Sequence, residues 1–362
     1  MKAPDRILTT INHEEPDKVP AFESAFTNNT IMEHYGIDPR SAGGYKGLYE
    51  FSRKVGIDLV LSFAGLFPKK FLKRGQGFID EYGRHMKFEP YKDGTQILAY
   101  HGGHFKSFED YESFEQPDPN NPARLKQFFE AREVQEQLND EVFSIPATGS
   151  LMECTWEGFG LETFSRVLRN PKQVQKVFDD RGKFTLEIVK IMAENDAKMV
   201  LLWDDYGFKN GLFMRPELYR TYIFPWIKRI CDAAHKRDCK ILLHSDGDLI
   251  EIFEDIINCG VDALNPIEST TANPDYDIFK LNEKYGDKIT FVGNLSPLML
   301  AIGEISEIED YAKRLIRELA PGGGYIFSSG HSINPAVTID RFEAMQNIRR
   351  KYGKYPINVP NS

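Results

Sequence analysis

The sequence predicts an α/β fold, a (β/α)8 TIM barrel with an N-terminal extension and a hairpin-rich insertion on its rim, and three observations predict it. Short apolar runs rich in β-branched residues alternate with longer stretches of helical period, as parallel strands packed under helices require. The runs number eight, the count that closes such a barrel. No Pro/Ser-rich linker, low-complexity tract or internal repeat divides the 362 residues, so the chain reads as one continuous domain, 1–362.

The elements follow in order. The extension MKAPDRILTTINHEEPDKVP leads into a first strand at 19–22, and a second is expected at 58–62. Between about Gly75 and Phe114 the rhythm breaks into polar hairpin sequence, DEYGRHMKFEPYKDGTQILAYHGGHF, with Lys92-Asp93-Gly94 as its turn. A separate domain would need a core of its own, so this stretch is expected as an insertion at the rim. Strands at 143–147, 199–203 and 240–244 come next, and Arg215-Pro216-Glu217 opens an amphipathic helix running to Lys236. Strands at 263–266, 290–293 and 325–328 complete the set. Asn273-Pro274-Asp275 and Ser306-Glu307-Ile308-Glu309 read as helix openings, and Gly322-Gly323-Gly324 as a helix stop.

Composition narrows the function. With 41% hydrophobic and 27% charged residues the chain has material for a core, and its net charge of -9 is spread without acidic or basic blocks. Nothing in that pattern favours nucleic acid or an anionic membrane surface. The N-terminus lacks an apolar signal core and no run of eighteen uncharged apolar residues occurs, so a cytoplasmic protein is expected. Cys154, Cys231, Cys239 and Cys259 have no CxxC spacing, as expected of reduced thiols.

In a barrel of this kind the active site lies at the C-terminal ends of the strands. There the sequence delivers Glu23; Glu153 and Glu157; Asp204, Asp205 and Tyr206; His244, Ser245 and Asp246; Asn265 and Glu268; Asn294; and Ser328, Ser329 and His331. In His244-Ser245-Asp246 the first and third side chains share one side of an extended strand, so an imidazole and a carboxylate can meet one cation. Structural roles compete at the same positions. Asp246 can cap a helix beginning near Leu249, Asp204 and Asp205 can cap the segment after them, and Glu268 can be a solvated loop carboxylate.

The opening RILTTINHEEPDKVP resembles the start of uroporphyrinogen decarboxylase superfamily members. WDDYGFKNGLFMRPELYRTYIFPWIKRI, KILLHSDGDL, ALNPIE, ITFVGNLS and GGGYIFSSGHSINPAVTIDRFEAM then follow in the superfamily's order over nearly the whole chain. The resemblance implies the barrel and two chemistries: cofactor-free decarboxylation of tetrapyrrole acetate arms, and zinc-dependent methyl transfer involving a corrinoid. The decarboxylases carry an arginine-rich stretch of the form MRQAGR after the first strand. Here that place reads Ala21-Phe22-Glu23-Ser24-Ala25-Phe26-Thr27-Asn28-Asn29, a carboxylate and no arginine, which is unsuited to a multi-anionic substrate. Gly330-His331 and Pro335 are nonetheless similar to the late decarboxylase motif.

The chain is more similar to the corrinoid-dependent methyltransferase branch, which carries His-x-Cys after the fifth strand and another Cys after the eighth. His244 matches the first position; Asp246 stands where the cysteine would be, and Ser328 and Ser329 where the second is expected. Oxygen in place of thiolate leaves a harder, more Lewis-acidic ion, better suited to polarising an ether oxygen than to activating a thiol. The resemblance thus implies a methyltransferase of the O-demethylase type. It would move a methyl group from a small O-methylated substrate, for instance an aromatic methyl ether, to the cobalamin of a separate corrinoid protein. His244, Asp246 and Glu153 would hold zinc, and His331 or Tyr206 would supply a proton to the departing oxygen. Asp205, Glu268, Asn294 and Trp156 would contact the substrate. The insertion is a candidate docking surface for the corrinoid protein, and a homodimer stays open. Two alternatives remain: a metal-free decarboxylase or lyase of a small carboxylate with Asp204 or Asp246 as acid–base group, and a non-catalytic ligand-binding barrel.

Overall fold

In the computed structural model, which describes residues 1–39, 45–91 and 94–360, thirteen strands follow one another. They are β1 (Leu59–Phe63), β2 (Pro68–Phe71), β3 (Phe78–Asp80), β4 (Arg84–Pro90), β5 (Gln96–Gly103), β6 (Phe143–Gly149) and β7 (Met199–Trp203), then the short pair β8 (Gly207–Phe208) and β9 (Gly211–Leu212), then β10 (Lys240–His244), β11 (Ala263–Asn265), β12 (Thr290–Leu295) and β13 (Tyr325–Ser329). Seven form one parallel sheet in the order β1-β6-β7-β10-β11-β12-β13.

The first expected strand, 19–22, joins the two edges of that sheet. Phe22 N–H donates to Phe327 O at 3.0 Å, and Asp58 N–H donates to Ala21 O at 2.9 Å. Ala21 thereby bridges β13 and Phe22 bridges β1, both in parallel, and the TIM-barrel ring closes. Pro20 has no N–H to contribute, which explains why this eighth member is a pair of bridges and not a continuous strand.

Alternate residues of the barrel strands point inward. Leu59 and Leu61, Ile145 and Ala147, Met199 and Leu201, Leu242, Ala263, Val292 and Ile326 form one buried cluster. The helix Ala3–Ile11 supplies the floor. It starts with Pro4 in its first turn and places Ala3, Ile7 and Ile11 four residues apart on one face, all packed into that cluster. Each isoleucine so buried contributes about 1.5–3 kcal/mol. Arg6 secures the helix: Nη1 donates to Asp58 Oδ1 at 2.7 Å, Nε to Asp17 Oδ1 at 2.7 Å and Nη2 to Asp17 Oδ2 at 2.8 Å. The other oxygen of Asp58 accepts from Ala21 N–H at 2.9 Å, so floor and closing segment share one buried carboxylate.

The insertion is an antiparallel sheet, β2-β3-β4-β5, beginning a little earlier than expected, at Pro68. Of its expected turn, Lys92 and Asp93 lie outside the described residues. Two glycines let this sheet meet the helix Glu153–Phe159: a Cβ on Gly103 would sit 2.5 Å from Gly160 N, and one on Gly158 2.5 Å from Tyr82 O.

Two helix expectations change. The run from Arg215 is helical to His235 but contains a π turn at Tyr219–Ile223. The opening at Asn273 is a turn; the helix Ile278–Tyr285 starts later, where Asp277 Oδ1 accepts from Phe279 N–H and Lys280 N–H. Among the described residues no helix is long and apolar enough to cross a membrane.

Candidate metal centre at the barrel mouth

Trp203, His244 and Asn265 lie side by side at the ends of β7, β10 and β11, His244 being in register with both neighbours. The inward alternation continues one step beyond the strands, to Asp205 and Asp246. Asp205, His244 and Asp246 each offer one ligand atom within 4.8 Å of the other two. His244 Nε2 is 4.0 Å from Asp246 Oδ1, and His331 Nε2 is 3.6 Å from Asp246 Oδ2.

The proton on His244 is fixed from behind. Asn265 Nδ2 donates to Val292 O at 3.1 Å, which makes its Oδ1 the acceptor for His244 Nδ1 at 2.8 Å. Nδ1 therefore carries the hydrogen, and the lone pair of Nε2 faces the carboxylates, the arrangement that metal-ligating histidines share. Burial also lowers the imidazole's pKa against the pull of Asp246, which favours the neutral, ligating form.

Asp246 is held by its backbone, not by its carboxylate. Its N–H donates to Asp205 Oδ1 at 2.8 Å, while its own Oδ1 is buried with no hydrogen-bond partner. The capping role falls instead to Asp248, whose Oδ1 accepts from Ile250 N–H at 3.0 Å. A buried, unpartnered carboxylate oxygen beside an imidazole lone pair is costly unless a cation sits between them. A nitrogen and two carboxylate oxygens fit a divalent ion of zinc's kind.

Around this trio the charge is one-sided. Glu153 Oε2 is likewise buried without a partner, and burial, with Glu157, Asp204 and Asp246 nearby, pushes Glu153 up to about 8. Burial, then Glu153 and Asp246, raises Asp205 well above the usual carboxylate range. The counter-charge is Arg84, which the insertion delivers. It is already held by Asp80 Oδ2 at 2.7 Å and Glu157 Oε2 at 2.9 Å, with Glu153 Oε1 at 3.8 Å. The insertion also contributes Tyr100, whose ring meets Trp156 edge-on at 5.8 Å; Trp156 lies against Phe213 at 5.4 Å on the other side. Trp156 Nε1 is a buried donor without an acceptor.

Several expected roles need correction. Glu153, expected as the third ligand, is outside the trio, and Asp205 is the carboxylate that stands with His244 and Asp246. Asp204 is fully buried and turned outward, its carboxylate accepting from the N–H groups of Leu151, Met152, Glu153 and Asp205. It is the cap of the helix Glu153–Phe159 and not an acid–base group in the mouth. Tyr206 is fully buried among the outer-shell aromatics Tyr219 and Phe224, out of reach of a substrate. Asn294 is 2% exposed, donates to Ile267 O and accepts from Tyr311 O–H, so it is a buried part of the wall and not presented to a substrate. Glu268 accepts from Gly247 N–H and Thr270 O–H, so it braces the 245–247 loop. His331, with its side chain 55% exposed, and Trp156 stand at the mouth. Three features of the candidate centre were not assigned from the sequence: Asp205 beside His244 and Asp246, Asn265 behind the His244 ring, and Arg84. Strand parity beyond Trp203 separates Asp205 from Asp204 and was the available signal for the first.

The uroporphyrinogen decarboxylase (URO-D) family model matches residues 83–352. A uroporphyrinogen decarboxylase from Coxiella burnetii (strain Dugway 5J108-111) is 27% identical over 213 residues, so the chain spans 56% of that relative's length and 56% of its own. One from Thioalkalivibrio sulfidiphilus is 22% identical over 373 residues, covering 96% of this chain and 98% of the relative. Among solved structures, a methyltransferase from Methanosarcina mazei superposes with a TM-score of 0.71 at 17% identity, over 97% of this chain and 99% of that one. These matches and the closed barrel agree: the chain belongs to the uroporphyrinogen decarboxylase family.

Proposed function

We propose that the protein is a zinc-assisted methyltransferase that takes a methyl group from a small O-methylated compound and passes it to the corrinoid of a partner protein. The observation that carries the proposal is the Asp205, His244 and Asp246 trio with His244 Nε2 left unprotonated by Asn265. The fold shared with the Methanosarcina mazei methyltransferase is compatible with it. The decarboxylase alternative is disfavoured by the lack of a free cation in the mouth: an anionic substrate would meet the carboxyl groups of Asp205, Asp246 and Glu153, while Arg84 is already engaged by Asp80 and Glu157.

Bound at the trio, zinc would act as a Lewis acid on the ether oxygen. The chain's own residues do the rest. Asn265 holds the His244 ring, Glu268 and Asp205 hold the loop that presents Asp246, and Trp156 with Phe213 excludes water on one side. A corrinoid brought by the partner would accept the methyl group as its bond to oxygen breaks, and His331, exposed and 3.6 Å from Asp246, would give the departing oxygen its proton.

Metal analysis of protein produced with zinc available, beside His244→Ala/Asp246→Ala, tests the proposal. Near-stoichiometric zinc is expected in the parent and none in the variant, and only the parent should methylate reduced corrinoid protein from a methyl ether. Zinc in neither, with transfer intact or absent, would overturn the metal-assisted reading.

A further inference from the structure

A cavity of about 210 Å³ lies where the segment after the closing bridge passes β1, lined chiefly by Phe26, Phe51, Leu61, Phe63 and Trp203, with Glu23 as its one acid. Phe63, 41% exposed, forms its lip. Its inner wall is shared with the candidate metal centre: the Trp203 ring lies 4.7 Å from the His244 ring, tilted by 31°. An apolar cavity of about 150 Å³ takes up benzene, so this one has room for a single ring with a methoxy-sized substituent.

Glu23 is 8% exposed, and its carboxyl group meets Ser329 twice, accepting from the N–H at 3.3 Å and touching Oγ. Ser329 Oγ touches both Glu23 Oε2 and the carbonyl of His331. One hydroxyl hydrogen cannot serve two acceptors. Both contacts are satisfied when Glu23 carries a proton and donates to Ser329 Oγ, which donates on to His331 O. We infer that this cavity is the slot for the ring of an uncharged, one-ring methyl ether: its lining offers an anionic analogue no cation, only the Glu23 carboxyl group. The assignment of a methyl ether rests on the transfer reading above; the slot and its preference for a neutral ring do not.

Burial supports the neutral form by pushing Glu23 up to about 8, against the Ser329 hydrogen bonds, which favour the charged form. The other ionisable groups that act on it are Arg349, which favours the charged form, and Tyr325, its neighbour on β13. Above that pH an ionised Glu23 would require water in the slot, and a ring entering would have to strip it away.

Calorimetric binding of methoxybenzene and of 4-methoxybenzoate to the full chain, with neither metal nor corrinoid added, tests the slot. Methoxybenzene should bind at pH 7 at least tenfold more tightly than the benzoate, and Ala25→Trp, which fills the cavity, should abolish binding. Between pH 7 and pH 9 the parent should lose at least threefold in affinity while Glu23→Gln stays level, a comparison that remains decisive should Ala25→Trp fold poorly. No binding of methoxybenzene, equal binding of the two ligands, or a parent as flat with pH as Glu23→Gln would overturn the inference. Ring binding without transfer to a corrinoid would remove the transfer reading and leave the slot; transfer with no binding in the cavity would do the reverse.

Discussion

The floor and the mouth of the barrel treat charge in opposite ways. At the floor, Arg6 is shared between Asp58 and Asp17, and each carboxylate finds a donor. At the mouth, Glu153, Asp205 and Asp246 crowd together, two of them with buried unpartnered oxygens, beneath one arginine that is already paired. A matched set stabilises the fold, whereas an unmatched set lowers stability and persists only where a ligand or proton completes it. The contrast matches the division of labour in these barrels, with stability at the N-terminal face and chemistry at the C-terminal face.

That comparison can be broken at either end. The largest effect is expected from Arg6→Met, which leaves the buried Asp58 with Ala21 N–H and the more distant Lys18 Nζ at 3.8 Å, and should cost about 3 kcal/mol in denaturant unfolding. Zinc content of the variant that remains folded should match the parent; a parallel loss of zinc would show that the two ends are not independent. Next comes Asn265→Leu, which releases His244 Nδ1 without touching a ligand atom. Zinc affinity should fall roughly 10–100-fold by competition with a chelator, and an unchanged affinity would remove Asn265 from the site. The smallest effect belongs to Asp17→Asn. Asp17 is held down at about 2, first against burial and then by Arg6 and the N-terminal amine. A lowered carboxylate pKa contributes stability above about 3.8 that is lost as pH falls toward 2. Because Asp17 is 41% exposed, screening limits that contribution to about 1 kcal/mol or less. The variant should therefore differ from the parent at pH 6 and converge with it near pH 2; a constant difference would assign the effect to something other than this charge.

The barrel was legible because buried parallel strands are written as apolar runs, and seven of the eight appear as such. The segment at 19–22 was found for the same reason, but its ladder is cut short by Pro20, a local fact that hydropathy does not carry. His244 and Asp246 were legible from their spacing alone. Asp204 and Asp205 were not told apart, because adjacent carboxylates look alike until the inward parity of Trp203 is known. Arg84 was invisible for a different reason: it arrives from an insertion about seventy residues before Glu157, and pairing at that separation leaves no periodic trace in the sequence.

The glycine seam between the insertion and the helix Glu153–Phe159 bears on how such a site can diversify. With backbone against backbone at Gly103 and Gly158, the sheet that carries Arg84 and Tyr100 fits its helix like a keyed part. A foreign rim grafted in its place would have to reproduce two side-chain-free contacts before it could present any residue at all. Phe208 on the short β8–β9 hairpin, by contrast, is 44% exposed and that hairpin is joined by a two-residue turn. The hairpin's backbone is itself keyed to the metal loop, a Cβ on Gly247 meeting Phe208 N at 2.3 Å, so new substrate range in this protein should be sought at the exposed Phe208 side chain, with the backbone of hairpin and rim left as inherited architecture.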